Sequence, residues 1–434
     1  MTILDLIEKK KNNISLSKTE YFWFIESLIQ NKIPDYQVSS LLMAIFINGM
    51  TDDELFSFTE ALIHNSKKIH GKPTNFLNIS VDKHSSGGVG DKVSLILSPI
   101  LVALGYDVIK ISGRGLSFTG GTIDKLESIG ISYEYDQNNF QSYLDKAHMA
   151  LMLQSEDIVP GDKKLYALRD VTGTIDSFPL IAASIMSKKL IAENEYIFLD
   201  IKIGEGAFFD TVEKGEEFSK LVLKISKKFN RKTIIHLTSM TQPLGRTIGN
   251  AIEIKETVDF LQNKIESDNL KKLIYDFAAD ILMDTNIIPN KEEALSKIDE
   301  VIQNGKAYNA FMNFVKTFSN DYKRVEEDNY FNPKNKVEIF AKQEGCLHFG
   351  STKNLGLLSN SLGAGRFSKE DIIDFDAGIK LYFEPFSSVT KGQKIATLYS
   401  NKEIASDLVD KFHDCLVYSN DCTKQKEIII KKIK

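Results

Sequence analysis

Hydrophobic and polar positions in the first 65 residues follow the repeat of amphipathic helices. Ser17 to Glu20 and Thr51 to Glu54 both fit the S/T-x-x-E capping box, and each precedes an apolar-periodic segment, YFWFIESLI or LFSFTEALI. Pro34 precedes a third such segment, DYQVSSLLMAIFI, and proline favours the start of a helix. The pattern therefore predicts a helical N-terminal region.

After residue 75 the pattern changes to short apolar runs separated by glycine-rich loops. FLNISV (76–81) and DVIKIS (107–112) are predicted as strands, and residues 93–104 as a helix that Gly105 ends. Two loops, DKHSSGGVGDKVS (82–94) and SGRGLSFTGGT (112–122), follow these strands, with a helix from about Asp124. Two consecutive strand, loop and helix units predict an α/β sheet with both loops at its carboxyl edge, where ligands bind.

The remaining pattern predicts further elements of the same sheet and a separate C-terminal part. SFPLIAASIMSKKL (177–190) is predicted as a helix with Ser177 as its N-cap and Pro179 in its first turn. IFLDIKIG and RKTIIHLTS are predicted as buried strands. From about residue 345 the chain becomes rich in Gly, Ser and β-formers, which predicts a small β-containing domain. The basic end, KQKEIIIKKIK, is interpreted as a solvated amphipathic tail rather than a nucleic-acid contact.

Composition narrows the class of protein. The chain has 434 residues, of which 42% are hydrophobic and 26% charged, as in ordinary globular proteins. A net charge of −5 argues against nucleic acid as the main partner. No apolar run reaches the length of a membrane span or a signal-peptide core, so no membrane contact is expected. Cys346, Cys415 and Cys422 are too few and too unevenly spaced for a disulfide framework or zinc site, which favours a cytoplasmic location.

The first loop has the chemistry of an anion site. A glycine-rich turn before a helix exposes backbone N–H groups at the positive end of the helix dipole, and Lys83, Ser85 and Ser94 add a charge and two hydroxyls. A P-loop is excluded because it needs Gly-Lys-Ser/Thr in sequence, and a G-x-G-x-x-G dinucleotide motif is missing. A tight turn with surface charges is the plain alternative for one such loop. The second loop adds Ser112 and Thr122 at the same edge, so the pair could surround one free phosphate ion.

Four longer segments carry a family resemblance. DKHSSGGVGDKVS, KISGRGLSFTGGTIDKLESI, LYALRDVTGTIDSFPLIAASIMSKKL and MTQPLGRTIGNAIEIKE resemble, in order and spacing, the thymidine and pyrimidine-nucleoside phosphorylase family. The resemblance covers nearly the whole chain. It implies an α/β fold class in which a helical domain is hinged to a mixed α/β domain with a central sheet, plus a small C-terminal α+β domain, and it implies a homodimer.

The same resemblance implies domain bounds and site residues. The helical domain comprises residues 1–65 with 160–190 (pyrimidine side and dimerisation), the phosphate-binding α/β domain residues 75–155 with 191–340, and the C-terminal domain residues 345–434. The implied phosphate ligands are Lys83, Ser85, Ser94, Lys110, Ser112 and Thr122. The implied pyrimidine ligands are His84, Arg169, Ser184 and Lys188, flanked by Leu116, Tyr166 and Phe208. Taken singly, Arg169 could be a structural ion pair with Asp170, Lys188 a solvated cation and the flanking residues ordinary core.

The implied reaction is reversible phosphorolysis of uridine, thymidine and deoxyuridine in nucleoside salvage, with phosphate as co-substrate and no other organic cofactor. His84, Arg169 and Lys188 are the implied catalytic residues, because charge develops on the departing pyrimidine as the sugar becomes oxocarbenium-like; the pKa range of histidine suits proton or hydrogen-bond donation. Lys110 resembles the lysine of uridine-accepting members, whereas thymidine-restricted members carry an apolar residue there. A thymidine-restricted enzyme therefore stays as an alternative.

One position departs from the family pattern. Relatives with a structural potassium ion hold it at positions matching Gly90, residue 92, Leu244, Thr247 and Glu256, and the second of these is usually threonine. Here it is Lys92, whose ammonium could replace the ion, so the sequence leaves potassium open and favours a protein that does not need it. Two further alternatives are an enzyme similar to anthranilate phosphoribosyltransferase, although no acidic pair for Mg²⁺ is evident, and a non-catalytic nucleoside-binding module.

Overall fold

The computed structural model describes residues 1–115, 118, 120–155, 157–368, 371–423 and 427–434. It begins with four helices, and the predicted capping boxes are confirmed: the Ser17 and Thr51 hydroxyls accept from the third helical N–H, and the glutamates at that position accept from the cap N–H. The third helix begins directly after Pro34. The helices are α1 (Ile3–Lys11), α2 (Lys18–Ile29), α3 (Asp35–Asn48) and α4 (Asp52–His64).

A mixed six-stranded sheet forms the centre of the molecule. Its strand order is β13-β5-β4-β1-β2-β3, with β1 to β5 mutually parallel and β13 antiparallel at one edge. The chain builds from β1 towards β3 on one side and then adds β4 and β5 on the other, so the direction of winding changes next to β1. The strands are β1 (Ser80–Ser85), β2 (Asp107–Ser112), β3 (Met149–Leu153), β4 (Tyr196–Ile203), β5 (Lys232–Ser239) and, at the chain end, β13 (Ile429–Ile433).

The position of β1 corrects the sequence prediction. The strand was expected at 76–81 with the motif from residue 82 onward as a loop, but β1 covers Ser80–Ser85. Asn78 has a left-handed φ of 54°, which places a turn where the strand was expected, and β4 pairs with the chain from Val81 as far as Ser85. Lys83, His84 and Ser85 are therefore strand residues whose side chains alternate between the two faces of the sheet.

Helices cover both faces of this sheet. On one face a core joins Val81 and Val108 to α5 and to the helices after β5. On the other face a second core joins Ile109 and Ile111 to the four N-terminal helices and to α8, α9 and α10. The helices are α5 (Val93–Ala103), α6 (Thr122–Glu127), α7 (Phe140–Ala147), α8 (Pro160–Val171), α9 (Phe178–Leu190), α10 (Val212–Lys228), α11 (Ala251–Leu261), α12 (Asp268–Asp284), α13 (Lys291–Gln303), α14 (Lys306–Phe318) and α15 (Tyr322–Glu326).

The small C-terminal domain is built on two antiparallel sheets with the orders β6-β9-β11-β7 and β10-β8-β12. Its core includes Val89 of the first glycine-rich loop and Ile248 of β6. A π-helical turn covers Asn360–Ala364. The elements are β6 (Thr247–Gly249), β7 (Asn335–Phe340), β8 (Gly345–Phe349), α16 (Thr352–Ser359), β9 (Gly378–Leu381), β10 (Ser387–Val389), β11 (Lys394–Ser400), α17 (Ser406–Asp414) and β12 (Leu416–Ser419).

Two expectations for the C-terminal part are wrong. The basic end is not a solvated tail: residues 429–433 form β13, which pairs with β5 and directs Lys432 to Asp280 at 2.9 Å. Cys346 and Cys422 form a disulfide with a Cα–Cα distance of 5.3 Å. Pairing of Ser419 with Cys346 across β12 and β8 brings these distant positions together, which spacing along the sequence cannot indicate. Among the described helices, none combines the length and the apolar content that crossing a bilayer requires.

Candidate phosphate and pyrimidine site

The first glycine-rich loop connects the carboxyl end of β1 to α5. Gly87 and Gly90 have φ values of 90° and 73°, and a Cβ at Gly90 would lie 2.5 Å from the carbonyl oxygen of Leu244. Only glycine fits there without moving backbone. Ser85 donates to the carboxylate of Asp91, whose other oxygen accepts from Val93 N–H at 3.2 Å. The loop is thus tied across its base, and Ser94 follows in the first turn of α5.

Lys83 belongs to a buried charge network at this base. Its Nζ lies 3.0 Å from Asp200 Oδ2, and Lys202 pairs with the same carboxylate at 2.8 Å. Burial alone would raise the pKa of Asp91, but the charges of Lys202 and Lys83 outweigh burial and hold that pKa below its ordinary value. Sequence analysis missed Asp91, Asp200 and Lys202. Charged residues alternating within the buried run FLDIKI were the available signal.

The second strand carries two buried groups without partners. Ser112 ends β2 beside Ser85, which ends the neighbouring parallel β1, and the Ser112 hydroxyl oxygen contacts no hydrogen-bonding atom of the described residues. Lys110 is 3% exposed, and no hydrogen bond or ion pair joins its ammonium to the described part of the chain. Burial and the charge of Lys189 lower the pKa of Lys110 well below its ordinary value. Unsatisfied buried donors of this kind indicate a ligand position.

His84 stands among four lysines. Burial lowers the pKa of its imidazole well below 6.5, and the charges of Lys189, Lys110, Lys83 and Lys188 lower it further. The ring is therefore neutral at neutral pH. Its Nδ1 is buried and meets no hydrogen-bonding atom within the described ranges. A neutral imidazole can still donate a hydrogen bond from one of its ring nitrogens.

The helical side of the site is built on α8. Asp162, Tyr166 and Arg169 are spaced at i, i+4 and i+7 and so share one helix face. Arg169 is 2% exposed and donates to the carbonyls of Thr174 at 3.2 Å and Ile175 at 2.7 Å. Arg169 makes no ion pair with Asp170. The alternative interpretation, that Arg169 only forms a structural ion pair with that residue, is therefore wrong. Burial raises the pKa of Tyr166 to about 12.

The next helix, α9, faces α8 and contributes Ser184 and Lys188. The ammonium of Lys188 donates to the Ser184 hydroxyl at 3.1 Å and pairs with the carboxylate of Asp162. Asp162 therefore orients Lys188, and sequence analysis missed it. Ser177 occupies the predicted cap position of α9, but its side chain makes no capping hydrogen bond.

Lys189 joins α9 to the sheet. Its Nζ lies 2.9 Å from Asp82 on β1 and donates to the carbonyl of Ile111 on β2 at 3.2 Å. Asp82 directly precedes Lys83, and Ile111 directly precedes Ser112, so this buried contact brings α9 to the strands that carry the phosphate candidates. The charges of Lys188 on α9 and of Lys110 on β2 both act on His84.

Two of the described candidates, Phe208 and Thr122, stand apart from these contacts. Phe208 is 45% exposed and packs edge-on against Phe209. Thr122 is the first residue of α6, directly after the second loop. Leu116 lies outside the described residues.

The predicted cation position is filled by the Lys92 ammonium. Lys92 is fully buried, and its Nζ donates to the carbonyls of Gly90 at 2.8 Å, Leu244 at 2.9 Å and Thr247 at 3.1 Å. It also lies 3.0 Å from Glu256 Oε2. These are the four residues predicted to hold a potassium ion, so their oxygens already surround a positive charge.

Comparisons with known proteins agree with this architecture. Residues 77–308 match the model "Glycosyl transferase family, a/b domain", residues 4–66 the helical bundle domain of that family, and residues 347–419 the model "Pyrimidine nucleoside phosphorylase C-terminal domain". Among solved structures, anthranilate phosphoribosyltransferase from Thermus thermophilus superimposes with a TM-score of 0.57 over 72% of this chain and 99% of its own, at 14% identity. That likeness shows the fold.

Curated relatives match over nearly their full lengths. Thymidine phosphorylase of Mycoplasmoides pirum is 46% identical, covering 95% of this chain and 98% of the relative. Pyrimidine-nucleoside phosphorylase of Bacillus subtilis (strain 168) is 39% identical, covering 95% of each. The family resemblance and the fold class predicted from the sequence are both confirmed. The chain therefore belongs to the glycosyl transferase family with this a/b domain, together with the thymidine and pyrimidine-nucleoside phosphorylases that it matches.

Proposed function

We propose that this protein is an enzyme that catalyses the reversible phosphorolysis of pyrimidine nucleosides, giving the free base and an α-pentose 1-phosphate. The observation that carries the proposal is a set of buried polar groups on β1 and β2. The Ser112 hydroxyl and His84 Nδ1 meet no partner among the described residues, and Lys110, 3% exposed, takes part in no hydrogen bond or ion pair there. They lie on the strands that Lys189 of α9 contacts, and the charge of Lys188 from the same helix acts on His84. Relatives at 38–46% identity carry names of this activity.

The phosphate site is assigned to the sheet edge. Backbone N–H groups of the loops and the start of α5 favour an anion. The Lys110 amine adds a hydrogen-bond donor, and a bound anion would stabilise its charged form. The proposed phosphate ligands are Lys83, Ser85, Ser94, Lys110, Ser112 and Thr122. The Asp200 carboxylate pairs with both Lys83 and Lys202 next to this edge.

The pyrimidine site is assigned to α8 and α9. As the N-glycosidic bond breaks, its electron pair leaves with the base, so negative charge develops on the ring nitrogen and O2 oxygen. Arg169 and Lys188 stabilise that charge, and neutral His84 donates a hydrogen bond towards O2 without giving up a proton. Phosphate attacks C1′ from the opposite face. Ser184 binds the base, and Tyr166 of α8 flanks it.

We propose that three regions of the chain have different roles in the reaction. Residues 1–65 with 160–190 present the base, and residues 75–155 with 191–334 present phosphate. The third domain runs from β7 to β12, because β7 belongs to its sheet and β13 returns to the central sheet. Closure of the first two brings the reactants together and excludes water.

We also infer a homodimer formed through the helical domain. Tyr36 and Ile47 of α3 are 72% and 71% exposed, and Met43 lies between them on the same face at helical spacing. An exposed apolar stripe of this kind favours a protein partner. We commit to a second copy of this chain as that partner, and we place the enzyme in the cytoplasm, where its nucleoside and phosphate substrates occur.

We infer broad substrate use. Lys110 supports uridine as well as thymidine and deoxyuridine, since its ammonium has no partner in the described part of the chain and can reach a sugar hydroxyl or the phosphate. A thymidine-restricted enzyme is the second candidate.

We propose further that the enzyme requires no potassium. The oxygens that would coordinate the ion are within hydrogen-bonding distance of Lys92 Nζ, so they do not fit an added cation of like charge. In the proposed reaction phosphate is a reactant, and we propose no organic cofactor.

The direct test is to incubate the purified protein with uridine and phosphate and to measure free uracil. Phosphate-dependent release of uracil supports the proposal. Release from thymidine alone would restrict it to the second candidate. Failure with uridine, thymidine and deoxyuridine would overturn it.

A further inference from the structure

The C-terminal domain packs against both anion loops. Val89 of the first loop is 1% exposed within the C-terminal core, and Phe118 of the second loop packs against the same core. Gly356 of α16 lies at the point where both meet: a Cβ there would be 2.4 Å from the Phe118 carbonyl oxygen and 3.0 Å from Val89 Cγ2. The position of this domain therefore affects the geometry of both loops.

One charged contact connects the same domain to the start of α6. Arg366 Nη1 lies 3.0 Å from Asp124 Oδ1, and the Asp124 side chain is 3% exposed. The other oxygen, Oδ2, accepts from the backbone N–H of Gly115 at 2.5 Å. Asp124 therefore joins the beginning of the second loop to the first turn of α6, two residues after Thr122.

Arg366 is the closer of the two cations near Asp124. The other, Arg114, is 3.5 Å away and directs its guanidinium to Glu127 at 2.5 and 2.6 Å. Removing Arg366 would leave a nearly buried carboxylate beside an anion site with only Arg114 as counter-charge, at 3.5 Å and already paired with Glu127. The loop would lose its anchor, and the bound anion would meet added repulsion.

We propose that Arg366 is a positioning residue for phosphate binding, acting through Asp124 on the second anion loop. This inference rests on the proposed function. It assigns a role to the C-terminal domain, which holds both anion loops in position through its contacts with Val89, Phe118 and Asp124. Arg366 contacts Asp124 and is not one of the proposed phosphate or pyrimidine ligands. Its loss should therefore weaken phosphate binding more than nucleoside binding.

The test measures phosphate affinity by calorimetry, and KM for phosphate and uridine separately, in Arg366→Ala, Arg366→Lys and Arg366→Gln. We expect Arg366→Ala to weaken phosphate binding roughly tenfold to a hundredfold, as misplaced binding groups do, with KM for uridine within about twofold. Arg366→Lys should recover most of the affinity. Lys394→Ala, which breaks the exposed Lys394–Glu338 pair of the same domain, is the matched control and should change nothing.

The outcomes separate the two ideas. If Arg366→Ala and Arg366→Gln bind phosphate as the unchanged protein does, the positioning role is wrong and the proposed function stands. Equal losses in every parameter, following a fall in folded protein, would also overturn it, since that pattern is purely structural. If the unchanged protein itself binds no phosphate, the proposed function fails first.

Discussion

Substituting Lys92 tests whether an internal ammonium serves as the cation of this fold. In Lys92→Thr, the carbonyls of Gly90, Leu244 and Thr247 lose a shared donor and Glu256 loses its ion pair. Removing one partner of a buried pair typically costs about 3–5 kcal/mol. Glu256 still accepts from Arg246 N–H at 2.7 Å and Thr247 N–H at 2.9 Å, so the lower end of that range is expected.

Potassium should recover part of this loss in the variant alone. A ligand that binds only the folded state adds about 2.7 kcal/mol at one hundred times its Kd. The assay is unfolding of the unchanged protein and of Lys92→Thr in KCl and in NaCl at equal ionic strength. The unchanged protein should show no preference between the salts, and Lys92→Thr should be more stable in KCl.

Lys10→Thr is the matched control. Lys10 is 2% exposed and pairs with Glu54 at 2.8 Å, so its substitution also breaks a buried lysine–glutamate pair, but at a site with no ring of carbonyls. It should be destabilised equally in both salts. A potassium preference in the unchanged protein, or a Lys92→Thr variant as stable as its parent, would refute the reasoning.

Further predictions concern the reaction and the assembly. His84→Ala and Arg169→Ala should each lose roughly 3–4 kcal/mol of transition-state stabilisation, a turnover loss of about 10²–10³, while circular dichroism stays unchanged; near-normal rates would contradict their roles. Because the pKa of His84 is lowered, its ring should remain neutral from pH 8 down to 6, and a protonation step near 6.5 in its NMR signals would show otherwise. Lys110→Met should reduce kcat/KM for uridine more than for thymidine, and equal losses would remove its role in sugar selection. Ile47→Asp should convert a dimer to a monomer in light scattering, whereas an unchanged mass would point to another interface.

Local signals in the sequence predicted much of the fold. Capping boxes at Ser17 and Thr51 and the strand at 107–112 depend on short-range rules, and they agree with the structure. The start of β1 did not, because pairing with β4, more than a hundred residues later, decides where the strand begins. The prediction for the C-terminal segment was wrong for the same reason, because this basic segment forms a strand only by pairing with β5.

The candidate site likewise contains residues that the sequence could predict and residues that it could not. Residues with free donors, such as Lys110 and Ser112, could be selected from loop chemistry and the family resemblance. Their buried counter-charges could not, since Asp200 and Asp162 act on lysines that are distant in sequence and near only in the fold. The lowered pKa of His84 likewise depends first on burial in the fold and then on four lysines that three separate elements bring together.

The central claim is that phosphate bound at the sheet edge attacks C1′ of a pyrimidine nucleoside. The most direct measurement is ³¹P NMR of the purified enzyme turning over uridine with ¹⁸O-labelled phosphate. The account predicts α-ribose 1-phosphate that keeps all the label, including the oxygen bridging to C1′, with one uracil released for each phosphate used. Free ribose in place of the sugar phosphate, or a bridging oxygen without label, would contradict it.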